Sequence, residues 1–216
     1  MLNHHTGHTA RRLASRGVTL IELMVGLTIM AFLLLSGAPS LTQWIRNAQI
    51  RSAAESILTG LHHARAEAVK RNSPVRFQLT NTLDNSCALS PTGTNWVVNM
   101  GSSTTPAGQC AAATSDTAAP YLLQKSMATN NTGVTITADQ QAVTFNGLGQ
   151  QTATTNPTTS VAAFNINVQS ASGSCLATDG SGTYRCLRIV VSPAGQARLC
   201  DPGVTAGATS TQSTSC

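Results

Sequence analysis

Residues 18–35 read VTLIELMVGLTIMAFLLL, an apolar run that follows a polar, basic stretch and is interrupted by a single acid, Glu22. A run this apolar has to be covered by lipid or by protein. As an α-helix it extends about 27 Å, close to the thickness of a bilayer core. A carboxylate at that depth costs about 2.5–3.5 kcal/mol on insertion scales. Three readings compete. A secretory signal peptide would use SGA at 36–38 as its cleavage site, but Pro39 follows the cut and obstructs it. A plain signal anchor accounts for the length and for Arg11, Arg12 and Arg16 on the cytoplasmic side, but not for Glu22.

The third reading accounts for both. The stretch RGVTLIELMVGLTIMAFLLLSGAPS resembles the class III leader of type IV pilins and type II secretion pseudopilins, over residues 16–39. The resemblance implies that a prepilin peptidase of the inner membrane cuts after Gly17, that the new terminus at Val18 is N-methylated, and that Pro39 interrupts the helix. Val18 departs from the family, which usually has phenylalanine or methionine there. The resemblance further implies that Glu22, the fifth residue of the mature chain, pairs with the terminal amine of a neighbouring subunit. Two charges that are each costly in lipid then partly neutralise one another. The implied organisation is a leader at 1–17, a transmembrane and assembly segment at 18–38, an amphipathic continuation at 39–73, and a periplasmic or extracellular β domain at 74–216.

The formal net charge of +5 is unevenly spread. Three arginines fall in residues 1–17, residues 40–76 hold six bases and two acids, and residues 77–216 hold four bases and five acids. The bulk of the protein is nearly neutral, so no general polyanion-binding surface follows from the charge. Six cysteines, Cys87, Cys110, Cys175, Cys186, Cys200 and Cys216, all follow the apolar segment. An even count on one side of an anchor predicts disulfides in an oxidising compartment. Sequential pairing is expected, with Cys175–Cys186 bracketing the TDGSGT turn and Cys200–Cys216 clasping the tail. No metal site is expected: there is no C-x-x-C, and His62 and His63 are adjacent, about 100° apart on a helix.

Residues 40–72 predict a helix continuing from the membrane, with Ser40 capping a restart after Pro39. Ile50, Ala54, Ile57, Leu61, Ala64 and Ala68 form one stripe, spaced by three or four. Leu41, Trp44, Ile45 and Ala48 form another, about half a turn away. The first part should therefore pack on other subunits and the second on the chain's own sheet. Gly60 weakens the helix by about 1 kcal/mol, and Asn72 and Pro74 end it. Strands are predicted at 75–80, 95–100, 120–124, 133–137, 142–146, 162–169, 186–192 and 196–200. Residues 101–119 and 150–160 read as low-complexity loops, and 201–216 as a loose tail. The segments ILTGLHHARAEAVKRNSPVRFQL, VTFNGLGQ and CLRIVVSPAGQARLC resemble the GspH/FimT group of minor pilins and pseudopilins. That resemblance implies an α+β, pilin-like fold: a long N-terminal transmembrane and amphipathic helix packed on an antiparallel β-sandwich.

No catalytic constellation or phosphate loop is present, so no enzyme activity and no cofactor are expected. DGSGT at 179–183 lacks the further acidic ligands of a calcium loop and reads as a turn. Asn130-Asn131-Thr132 fits a glycosylation sequon, which carries little weight in a bacterial envelope protein. The favoured role is a minor pilin of a type IV pilus that primes assembly at or near the tip. It would be a single-pass inner-membrane protein with a periplasmic C-terminal domain, partnered by prepilin peptidase and by other pilins. The alternatives are a pseudopilin of type II secretion and a DNA-capturing minor pilin. DNA-binding members carry a GRxR-type turn. Here the matching turn is GQAR, with Gln196 in place of the first arginine and Arg198 kept. Arg185 and Arg188 precede it and are the other candidate phosphate contacts.

Overall fold

A computed structural model describes residues 17–101, 106–127, 133–204 and 216. The leader residues 1–16, the Asn130-Asn131-Thr132 sequon and tail residues 205–215 lie outside these, as do the side chains of residues 36–39, Pro39 among them. The chain forms two compact units, Met1–Leu41 and Thr42–Cys216.

Helix α1 (Leu20–Arg71) runs through both. The helix ends where Asn72 turns to φ 47°. There the Ser73 N–H reaches the Ala68 carbonyl at 3.2 Å and the Asn72 N–H the Val69 carbonyl at 3.3 Å. This is a Schellman closure with asparagine in the left-handed position. Asn72 and Gly147 are in contact, a Cβ on that glycine falling 2.3 Å from Asn72 Oδ1.

The strands after the helix are β1 (Val75–Thr80), β2 (Asn95–Met100), β3 (Leu122–Lys125), β4 (Val134–Ala138), β5 (Ala142–Phe145), β6 (Gln151–Thr152), β7 (Thr154–Thr155), β8 (Thr158–Thr159), β9 (Phe164–Ser170), β10 (Leu187–Val191) and β11 (Ala197–Cys200). They form a five-stranded sheet in the order β3-β2-β1-β5-β6, a four-stranded sheet in the order β11-β10-β9-β4, and a small β7-β8 ribbon. Every pairing between these strands is antiparallel. Residues 150–160, expected as a loop, instead hold three two-residue strands, with the Thr154 and Thr159 hydroxyls 2.9 Å apart across the ribbon.

One core joins helix and both sheets. Ile50, Ala54, Ile57, Leu61, Ala64 and Ala68 are buried with Phe77 and Phe145 of the larger sheet and with Ile166, Val168, Ile189 and Val191 of the smaller one. Burying each large apolar side chain is worth about 1.5–3 kcal/mol. Gly60 is buried beneath an aromatic pair, Phe77 and Trp96, whose ring centroids lie 5.8 Å apart. A Cβ at Gly60 would fall 2.9 Å from each ring. The glycine that costs helix propensity is what lets the sheet approach. The outer face of β1 carries Arg76, Gln78 and Thr80, all buried. Burial holds the Arg76 guanidinium below its ordinary pKa. A second small cluster, Cys87, Val97, Cys110 and Leu122, packs beside Leu83.

Candidate assembly segment and arginine hairpin

Helix α1 begins with a threonine N-cap. Thr19 precedes the helix; its carbonyl accepts from the Leu23 N–H at 3.1 Å and its hydroxyl oxygen from the Glu22 N–H at 3.3 Å. The pattern Thr19-x-x-Glu22 suits a helix start, and the acid sits in the first turn near the positive end of the dipole. Among the described residues the Glu22 carboxylate has no hydrogen-bonding or ionic partner. Every described side chain from Val18 to Leu35 is exposed in the single chain, Leu20 at 79% and Leu35 at 78%. Water-soluble monomers rarely expose so continuous an apolar surface, which marks a protein or membrane contact. A Cβ at Gly17 would meet nothing within 4 Å, and its φ lies outside the left-handed range. Packing among the described residues therefore gives no reason for glycine there. No single helix among the described residues is long and apolar enough to cross a membrane. The stretches Leu20–Leu35 and Ser40–Arg71 pass together, by length and composition.

Further along, Trp44 is exposed, as are Leu41 and Ile45, so the first stripe finds no cover in this chain. Gln43 and Asn47 of the same helix hold the loop before β10. Gln43 Nε2 donates to the Thr183 carbonyl at 2.6 Å, and the Arg185 N–H donates to Asn47 Oδ1 at 3.0 Å.

The structure separates the three arginines by role. Arg188 and Arg198 share the outer face of the smaller sheet: Arg188 stands opposite Cys200 and Arg198 opposite Val190, which makes the two arginines diagonal neighbours. Arg188 is half-buried, and its Nε donates to Asn167 Oδ1 at 2.7 Å. Arg198 is exposed, and Arg185 lies before the strand, tied to the helix through its backbone. No ion pair engages any of the three among the described residues.

The GQAR turn does structural work. Gly195 has φ 80°, and a Cβ there would fall 1.8 Å from the Gly149 carbonyl. The GLGQ turn that it meets is held in turn by Arg65, whose Nε donates to the Gly149 carbonyl at 3.0 Å. The Gln151 side-chain amide donates to the Val191 and Ser192 carbonyls at 3.1 and 3.0 Å. One end of the sandwich is closed by these two glycine turns and the helix.

The disulfides are Cys87–Cys110, Cys175–Cys186 and Cys200–Cys216. Lys125 Nζ donates to the carbonyls of Cys110, Ala111 and Ala112 at 3.1–3.3 Å, fixing the loop that the first disulfide closes. Asp179 is held below the usual carboxylate range by hydrogen bonds from Ser181, within the turn bracketed by the second. Among the described residues no group of three or more His, Cys, Asp or Glu is placed to hold a metal. The contributions of Asn47, Asn167, Gln151 and Arg65 were not read from sequence. Each acts across tens of residues of chain, which no local pattern reports.

Residues 53–195 match the family described as type II transport protein GspH. The chain belongs to the GspH family. Residues 12–38 match the prokaryotic N-terminal methylation motif, which implies processing by a prepilin peptidase. The family is one of structural pilin subunits, not of enzymes. No curated protein matches the sequence. Among solved structures, this GspH-family chain is similar to the type IV minor pilin FimU of Pseudomonas aeruginosa, at 20% identity over 70% of this chain and 88% of that one, with a TM-score of 0.46. A second crystal form of FimU gives 17%, 69%, 90% and 0.40. GspH of E. coli in solution gives 15% identity over 72% of this chain and 89% of that one, with a TM-score of 0.39.

Proposed function

We propose that this chain is a minor pilin of a type IV pilus, cut after Gly17, N-methylated at Val18, held in the inner membrane as a single-pass protein by residues 18–38, and incorporated at or near the pilus tip to prime assembly. The observation that carries this reading is the start of the chain's helix. Among the described residues, a glycine with no packing role is followed directly by an exposed apolar surface and a carboxylate without a partner. Each of the three needs another protein: a peptidase for Gly17, neighbouring helices for the surface, and the amine of another subunit for Glu22. Three disulfides in the exported domain suit a subunit exposed outside the cell, where each can add about 2–4 kcal/mol. Pro39 would set the bend of the emerging helix.

Deleting the gene should sharply reduce surface pili counted by electron microscopy while leaving export of folded type II substrates intact, and the wild-type gene should restore them. Loss of secretion with normal piliation would instead place the chain in a secretion pseudopilus. DNA capture is the weaker reading, because Gln196 stands where a second arginine is needed and the Gly195 turn is occupied in packing on Gly149. Duplex DNA should bind the full chain only weakly at ~150 mM salt, and Arg198→Ala should leave piliation unchanged.

A further inference from the structure

The second unit, Thr42–Cys216, begins with a turn of helix whose apolar side is uncovered among the described residues. Trp44 is 68% exposed and Ile45 42%, and Ala48 is exposed too. At 3.6 residues per turn these three occupy one arc of the helix, edged by Arg51 on one side and by Gln49 and Arg46 on the other. Between Glu22 and Glu55 the sequence holds these two bases and no acid. The fold brings up a third base. Arg185 is exposed, and its N–H is fastened to this turn by Asn47 Oδ1 at 3.0 Å, across 138 residues of chain. Arg46 Nη1 donates to a neutral group, Gln49 Oε1, at 3.2 Å. Among the described residues neither Arg46 nor Arg185 enters an ion pair. Arg51 meets Glu55 at 2.8 Å, but both side chains are well exposed, so solvent weakens the pairing.

We infer that this turn rests on the anionic phospholipid headgroups of the membrane that holds the chain, before the subunit enters a filament. Trp44 and Ile45 meet the boundary of the acyl chains, and Arg46, Arg51 and Arg185 meet the phosphates. The inference rests on the single-pass reading above and deepens it. An apolar arc edged by cations is the pattern of a helix that lies in a bilayer interface, and tryptophan is enriched at that depth. The tether is short: Trp44 follows residue 38, where the anchor ends, by six residues, which span at most about 22 Å even when extended. An upright helix would lift Trp44 about 9 Å beyond the apolar core, past a headgroup layer about 5–7 Å deep. Contact therefore requires the unit to lean, and attraction between the arginines and anionic lipid favours the lean.

The test is tryptophan quenching in the full-length chain, reconstituted into vesicles whose lipids are brominated on the acyl chain near the headgroup. One set is phosphatidylcholine alone, and the other contains phosphatidylglycerol as well. Trp96 is buried beside Phe77, so the lipid-sensitive emission belongs to Trp44, and Trp44→Phe should remove it. Quenching should be stronger with phosphatidylglycerol and should weaken as salt is added. In those vesicles Arg46→Gln and Arg185→Gln should each lower the ratio of docked to free chain about fivefold. Arg198→Gln, on the outer face of the smaller sheet, should leave it unchanged. Equal quenching in the two sets would overturn the inference, and that comparison requires no variant to fold. So would the absence of quenching in both, the result if self-association or the chain itself covers Trp44. The two readings fail separately: flotation with the vesicles after an alkaline wash reports on the span, and the dependence on phosphatidylglycerol reports on the docked turn.

Discussion

At Gly60 a local preference and a tertiary demand conflict. A glycine inside a helix costs about 1 kcal/mol relative to alanine. Here any Cβ would meet the rings of Phe77 and Trp96 at 2.9 Å. The rings belong to adjacent strands and are buried beneath the helix, so a methyl group at residue 60 has to displace one of them. Gly60→Ala should therefore destabilise the β domain by about 1–3 kcal/mol despite its better helix propensity. Urea unfolding followed by the fluorescence of Trp96 checks this, and a stabilised variant would mean that the helix rides higher on the sheet than the structure shows. The same logic in reverse applies to Gly17, where a Cβ meets nothing. There, substitution should leave the fold intact and act only on processing.

At the scale of elements, the end of α1 is tied to the loop before β3 by one arginine. Arg71 Nε donates to Glu67 at 2.7 Å and Nη1 to Asp116 at 3.0 Å. The hydrogen bond from Arg71 is the main cause that holds the Glu67 carboxyl below its ordinary pKa, against the opposing effect of burial, and Arg71 does the same for Asp116. A carboxyl whose folded pKa is depressed contributes stability that is complete above its unfolded value and is lost as the pH falls through the folded one. The thermal midpoint should accordingly fall on acidification below about pH 4, and Arg71→Gln should flatten that fall. An unchanged slope in the variant would show that the network is solvent-screened. The eight longer strands were legible because β-branched and aromatic runs alternate with turn residues. The β6, β7 and β8 pieces were not, since two-residue strands of Gln and Thr carry no periodicity. Nor could the sequence say which strands share a sheet, or that Asn167 on β9 orients Arg188 on β10, because such pairings are set by the core rather than by neighbours in the chain.

At the scale of the whole molecule, a β domain closed by three disulfides and by its own packing follows a helix start that this chain leaves uncovered. Cys87 and Cys110 are buried in the small second cluster, so replacing both with alanine should lower the stability of the domain by about 2–4 kcal/mol while leaving the main core in place. Reducing conditions open all three disulfides, so closure of the gap between wild type and variant there would assign the loss to the Cys87–Cys110 bond. The resemblance of the leader was legible from residues 16–39 alone. What the structure adds is that nothing else in the described chain needs Gly17 or pairs with Glu22. The claim that this is a processed filament subunit is tested most directly by intact-mass and N-terminal peptide mass spectrometry of the protein purified from bacterial envelopes. The account predicts a mature chain that begins at N-methylated Val18. A chain that retains its leader, or one that begins at Pro39, would contradict it.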